Sequence, residues 1–261
     1  MLLRGSIPAL FASLRSDDGT KPKLGNSLTV NVNGFQSQWH FHPDPNVDIA
    51  VMAFAPLLRQ FDMAGSKIFY RSLDTSILPT EEQMRELNAI EDVIFVGYPK
   101  GIFDTKNLLP IARRGITATP IQVDYNGLPV FLIDASVFPG SSGSPVLIAN
   151  EGGFASRQGF TVGSRAWLLG VVARVHLSQE KGHIVIEDRP VGDVGESPAV
   201  HVPIPVTQQY LNLGLVFKAH TVIETIEDLL RLRQPSLLEA EDVQKDSDPL
   251  SIPDESEGGR V

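Results

Sequence analysis

The chain of 261 residues carries 31 acidic against 22 basic side chains, a net charge of −9, and such an acidic balance argues against nucleic acid as a partner, because phosphate binding needs a basic face. It has no cysteine, which removes disulfides, thiol catalysis and thiolate metal sites together. No apolar run approaches the ~20 residues of a membrane helix, and Arg4 and Pro8 break the apolar stretch at the start, which makes a poor signal peptide; a cytoplasmic protein with no membrane partner is expected.

Residues 1–25 show no clear period and are expected to be irregular, whereas residues 27–32 (SLTVNV) alternate as a strand does. Residues 39–42 are short and extended, and Pro43 and Pro45 force a turn after them. Residues 47–54 (VDIAVMAF) form an apolar run interrupted by one acid, Asp48; the length and β-branched content predict a buried strand. A short helix with proline in its first turn is expected over 56–64, and a short strand over 68–70. Thr80 followed by Gln83 is a capping-box pattern that starts a second helix.

Strands are then predicted at 93–96, 111–117, 129–135, 145–149, 167–175, 184–187 and 213–218. Residues 221–233 read as an amphipathic helix with Ile223, Ile226, Leu229 and Leu230 on one face. From 234 to 261 the chain is acidic and poor in aromatics, the composition of a disordered tail. Many short strands, with Gly 22 and Pro 19 to supply turns, point to an all-β barrel or sandwich.

Two features can carry chemistry. In Phe138-Pro139-Gly140-Ser141-Ser142-Gly143-Ser144-Pro145, glycines flank a serine in a tight loop ahead of a strand. Glycine admits positive φ, so consecutive amides can point into one space, as an oxyanion hole requires. A plain Ser/Gly turn between two strands fits the same octapeptide. Asp48 is the second feature, since a carboxylate in an apolar strand is costly to bury unless it is paired. It either faces solvent, opposite to Val47 and Ile49, or serves a buried partner.

Together these features resemble the trypsin-like (chymotrypsin-fold) serine proteases, in particular the bacterial branch that includes the heat-shock serine proteases. Further motifs follow in family order: Val96-Gly97-Tyr98-Pro99-Lys100-Gly101, Arg114-Gly115-Ile116-Thr117-Ala118, Ile133-Asp134-Ala135 entering the serine loop, Leu169-Gly170-Val171-Val172 as the strand leaving it, and Val202-Pro203-Ile204-Pro205. The likeness covers roughly residues 28–220. It implies a serine endopeptidase acting on peptides or unfolded proteins by acyl transfer, with no cofactor and no metal. Ser142 would be the nucleophile, Asp48 the acid that orients a histidine, and the backbone N–H groups of Gly140 and Ser142 the oxyanion hole. Ser136, Ala173 and Arg174 would border the substrate pocket. Two six-stranded barrels are implied: the first, over 1–110, incomplete; the second over 111–220; then a helix over 221–233 and the tail over 234–261.

The departures bear on activity. Ser141 stands where family members that mature from a zymogen carry an acid, and Ser144 where glycine is usual. The family's histidine lies a few tens of residues before the acid, yet residues 1–39 contain none. His40 and His42 are nearest to Asp48, but His42-Pro43 leads straight into the acid's own strand, and triad geometry favours a separate loop. His176, His183, His201 and His220 lack metal-like spacing. The same fold without its chemistry, a non-catalytic peptide- or protein-binding module, is the alternative.

Overall fold

The computed structural model describes residues 9–32, 34–99, 102, 104–157, 159–180 and 207–233. Its centre is one closed barrel of six strands: β5 (Asp92–Gly97), β6 (Ile111–Thr117), β7 (Val130–Ala135), β8 (Pro145–Asn150), β11 (Arg165–Glu180) and β12 (Thr207–Lys218). All neighbours are antiparallel. β5, β6 and β7 pair in succession; β8 then crosses to pair with the free edge of β5, and β11 and β12 complete the ring by reaching β7. Closure pairs each of the six strands with two neighbours over part of its length.

The barrel is filled by the inward residues of each strand. Phe95, Phe131, Ile133, Val146, Ile148 and Val216 have no exposed surface, and fully burying each such side chain is worth roughly 1.5–3 kcal/mol. Thr117 is buried among them; its hydroxyl accepts from the Glu91 amide at 2.9 Å and donates to the Ala89 carbonyl at 3.0 Å. Gly170 lets β11 pass β12: a Cβ there would lie 2.0 Å from the Phe217 carbonyl oxygen.

The residues before β5 form two separate two-stranded pieces, and among the described residues no second closed barrel. β1 (Ala9–Arg15) pairs with β2 (Pro22–Asn31), and β3 (Trp39–Phe41) with β4 (Ala50–Met52). The two hairpins share no hydrogen-bonded edge. Helix α1 (Ala55–Met63) packs Leu57 and Phe61 with Val32 and Ile68 in a small cluster of its own. The expected boundary near residue 110 falls between the first and second strands of the closed barrel.

Local signals fare unevenly. Thr80 caps α2 (Glu81–Glu86) through a complete capping box with Gln83. β1 lies in the stretch expected to be irregular, because its run ALFASLR does not alternate. Of residues 47–54 only Ala50–Met52 pairs as a strand, and of 68–70 only Ile68 makes an isolated bridge, to Leu14. Short β9 (Phe154–Ser156) and β10 (Gly159–Thr161) form a hairpin outside the barrel. Helix α3 (Ala219–Arg233) docks through Ala219, Thr221 and Thr225, while Ile226 and Leu230 of the expected apolar face are exposed. Both threonine hydroxyls are satisfied by nearby backbone, Thr221 by the carbonyl of Lys218 at the end of β12 at 2.8 Å and Thr225 by that of Thr221 at 2.6 Å, so burying them costs little. The predicted strand at 184–187, the segment 202–205 and the tail from 234 lie outside the described residues.

Gly170→Ala should destabilise the chain by about 3 kcal/mol or more, since backbone cannot yield as a side chain does. Gly127→Ala, at φ +73° with nothing within 4 Å of its Cβ, should cost only about 1–2 kcal/mol. Denaturant unfolding of both variants separates steric closure of the barrel from a general cost of replacing glycine.

Candidate active site

The serine loop joins β7 to β8 through two consecutive turns. The Ser141 amide donates to the Phe138 carbonyl at 3.0 Å, and the Ser144 amide to the Ser141 carbonyl at 3.1 Å. Each turn places a glycine third, Gly140 and Gly143, both at φ 87°, where a type II turn demands positive φ; Pro139 is suited to the second position of the first. The closing bond of such a turn leaves the two central amides unused. Gly143 gives its amide to Val172 on β11 at 2.8 Å. The amides of Gly140 and Ser142 have no partner among the described residues. Ser144 is buried in the space that Gly97 leaves open: a Cβ at Gly97 would lie 2.0 Å from its Oγ.

β11 runs behind this loop. In its pairing with β12 the register shifts between Val172 and Arg174, so Ala173 is a bulged residue outside the ladder. Its carbonyl accepts instead from the Ser142 hydroxyl at 2.7 Å. The next residue, Arg174, directs Nε and Nη2 to Asp48 Oδ2, each at 3.4 Å. Adjacent positions of one strand therefore hold Ser142 and Asp48. Asp48 is placed by its neighbours: Val47 and Ile49 are buried against Val130 and Phe217 of the barrel, which turns Asp48 outward. The pair is open to solvent, with 60% of the Asp48 side chain and 69% of the Arg174 side chain exposed; ion pairs of that kind are worth about 0–1 kcal/mol.

Neither nearby histidine faces this pair. His42 Nδ1 accepts from the Asp44 amide at 3.0 Å, which leaves the proton on Nε2, and Nε2 donates to Glu224 of α3 at 3.1 Å. His40 Nε2 bonds Asp228 of the same helix at 2.8 Å. The two imidazoles fasten the β3–β4 hairpin to α3, and His220, on α3 itself, is exposed. The side chain of His176, two residues beyond Arg174, and all of His183 and His201 lie outside the described residues.

The three positions expected to border a substrate pocket are each engaged within the chain. The Ser136 carbonyl accepts from Arg113 Nη1 at 2.8 Å, the Ala173 carbonyl from Ser142, and Arg174 holds Asp48. The strand that leaves the serine loop is β8; residues 169–172, likened to that strand, instead lie on β11 beside the loop.

Arg113 was not among the candidate residues, although the alternation Ile111, Arg113, Gly115, Thr117 turns it to one face of β6. Its guanidinium lies 4.2 Å from the centre of the Phe95 ring, and Nη1 also donates to the fully buried Ser141 hydroxyl at 3.1 Å. Nε and Nη2 are shielded from solvent and have no acceptor among the described residues. Burial pushes the group below the usual arginine range. Serine at 141 offers this cation a neutral acceptor where a carboxylate would offer a counter-charge.

Comparison with family models, curated proteins and solved structures finds no match to this chain. Among the described residues no group of acids and histidines could hold a metal, and no helix is long and apolar enough to cross a membrane.

Ser141→Asp should raise the unfolding free energy by about 1–3 kcal/mol by pairing Arg113. The gain should disappear in an Arg113→Met background, and denaturation of the four-member cycle measures the coupling. A carboxylate at 141 that leaves stability unchanged in both backgrounds would mean that the guanidinium lacks no partner.

Proposed function

We propose that this chain is a trypsin-like barrel that holds extended peptide segments without cleaving them. The observation that carries this is the Ser142 hydroxyl, whose proton is directed to the Ala173 carbonyl at 2.7 Å. A serine hydroxyl attacks a carbonyl only as a base removes its proton, and a backbone carbonyl is no such base. Asp48, which in a triad would orient and stabilise an imidazolium, faces the Arg174 guanidinium instead. Guanidinium stays protonated at any physiological pH and cannot accept the proton. His40 and His42 are taken up by α3.

What remains suits recognition. The neighbouring amides of Gly140 and Ser142 can donate to a peptide carbonyl, and the loop that presents them is tied to β11 through Val172 in both directions. A six-stranded barrel with the serine loop between its third and fourth strands supports the trypsin-like assignment, as do the motifs 114–118 and 133–135 on β6 and β7. Partners would be peptides or unfolded protein segments, bound without cofactor. The first barrel of such a fold would be the part reduced to the β1–β2 and β3–β4 hairpins.

A serine endopeptidase is the second reading, favoured by the same two unengaged amides, which have oxyanion-hole character. Its base would have to come from His176, His183 or His201. Without a base, triad enzymes retain only ~10³–10⁴-fold acceleration over water. A fluorophosphonate probe should therefore label this chain no faster than its Ser142→Ala variant, while a bound peptide should shift the Gly140 and Ser142 amide resonances. Rapid labelling of Ser142, with peptide hydrolysis that Ser142→Ala abolishes, would establish the peptidase instead.

A further inference from the structure

A cavity of about 400 Å³ opens between the β3–β4 hairpin, the start of α1 and the end of α3, away from the serine loop. Its volume is that of a small-molecule site. Trp39, Met52, Pro56 and Leu229 supply apolar walls, and His40, Gln60 and Arg233 supply polar groups. Trp39 is braced by an edge-on contact with Phe35 at 5.6 Å. His40 is held by Asp228 at 2.8 Å, so its ring is fixed.

The polar groups are unbalanced. Asp228, the carboxylate against the cavity's histidine, has Oδ2 on His40 and Oδ1 3.7 Å from Arg231. The Arg233 guanidinium, the Gln60 amide and the Trp39 indole N–H have no partner among the described residues. The site thus offers donors and one unpaired cation beside apolar walls. A ligand that fits must bring acceptors, a single negative charge and a compact apolar body.

We infer that this cavity binds a small organic monocarboxylate, with its carboxylate on Arg233 and its apolar body between Trp39, Met52 and Leu229. A planar guanidinium matches a carboxylate with two parallel hydrogen bonds. A polyanion is disfavoured, because one unpaired cation would face several negative charges with Asp228 nearby. The site is separate from the serine loop and stands whether or not peptides bind there.

Benzoate is a suitable probe, with benzyl alcohol as its neutral counterpart, each titrated into the full 261-residue chain and followed by amide and indole resonances. Benzoate should shift the Trp39 indole signal and not that of Trp167, and benzyl alcohol should bind at least tenfold more weakly. Loss of a charge-assisted hydrogen bond is worth roughly a tenfold or greater weakening. Arg233→Gln should show that weakening with its fold intact by circular dichroism, Arg233→Lys should recover part of it, and Arg231→Gln should leave it unchanged. Equal binding of benzoate and benzyl alcohol, equal binding to the parent and Arg233→Gln, or no binding of benzoate at tens of millimolar would each overturn the proposal.

Discussion

The bulge at Ala173 is the constraint on which the site depends. β11 is paired with β12, and with β8 as far as Val171; beyond that its second edge faces the serine loop through Val172, and a regular strand would turn the next carbonyl back into the β12 ladder. One residue more than β12 can match puts the Ala173 carbonyl outside the ladder, and the Ser142 hydroxyl satisfies it. The same offset lets Arg174 reach Asp48. The loop and the acid are held at consecutive residues, Ala173 and Arg174, where one strand of the closed barrel carries an extra residue.

The histidines explain how the β3–β4 hairpin stays attached without a barrel of its own. β3 and β4 are too short to bury an independent core. The hairpin is held by Val47 and Ile49 on the barrel wall and by His40 and His42 on α3. Those bonds take the nearest imidazoles away from the acid beside them in sequence. Attachment of the hairpin and supply of a base are competing uses of the same two side chains, and here attachment has both.

The strands β5 to β8 were legible because they are six or seven residues long and lie among glycines and prolines, whereas β11 and β12 run past the predicted 167–175 and 213–218; the capping box at Thr80 is a purely local signal. The serine loop was legible for the same reason, since Gly140 and Gly143 announce positive φ. β1 was not, because Ala9–Arg15 becomes a strand through pairing with β2 and not through alternation. The docking face of α3 was misread because threonines can be buried once nearby backbone satisfies them, which a hydrophobic period does not register. Arg174 and Arg113 were opaque as partners: which carboxylate a guanidinium meets, or fails to meet, depends on a bulge and on strand register, and neither is written in composition or spacing.

If the chain holds peptides without cleaving them, as proposed, Arg174 is the first obstacle to turning it into an enzyme. A histidine placed to bridge Ser142 and Asp48 would find the acid already paired with a guanidinium, so the carboxylate would be less able to stabilise the proton that catalysis requires the imidazole to carry. The Ala173 carbonyl would also compete for the serine hydroxyl. Supplying an imidazole beside Ser142 would therefore not be enough; the scaffold would have to be emptied before it could be furnished.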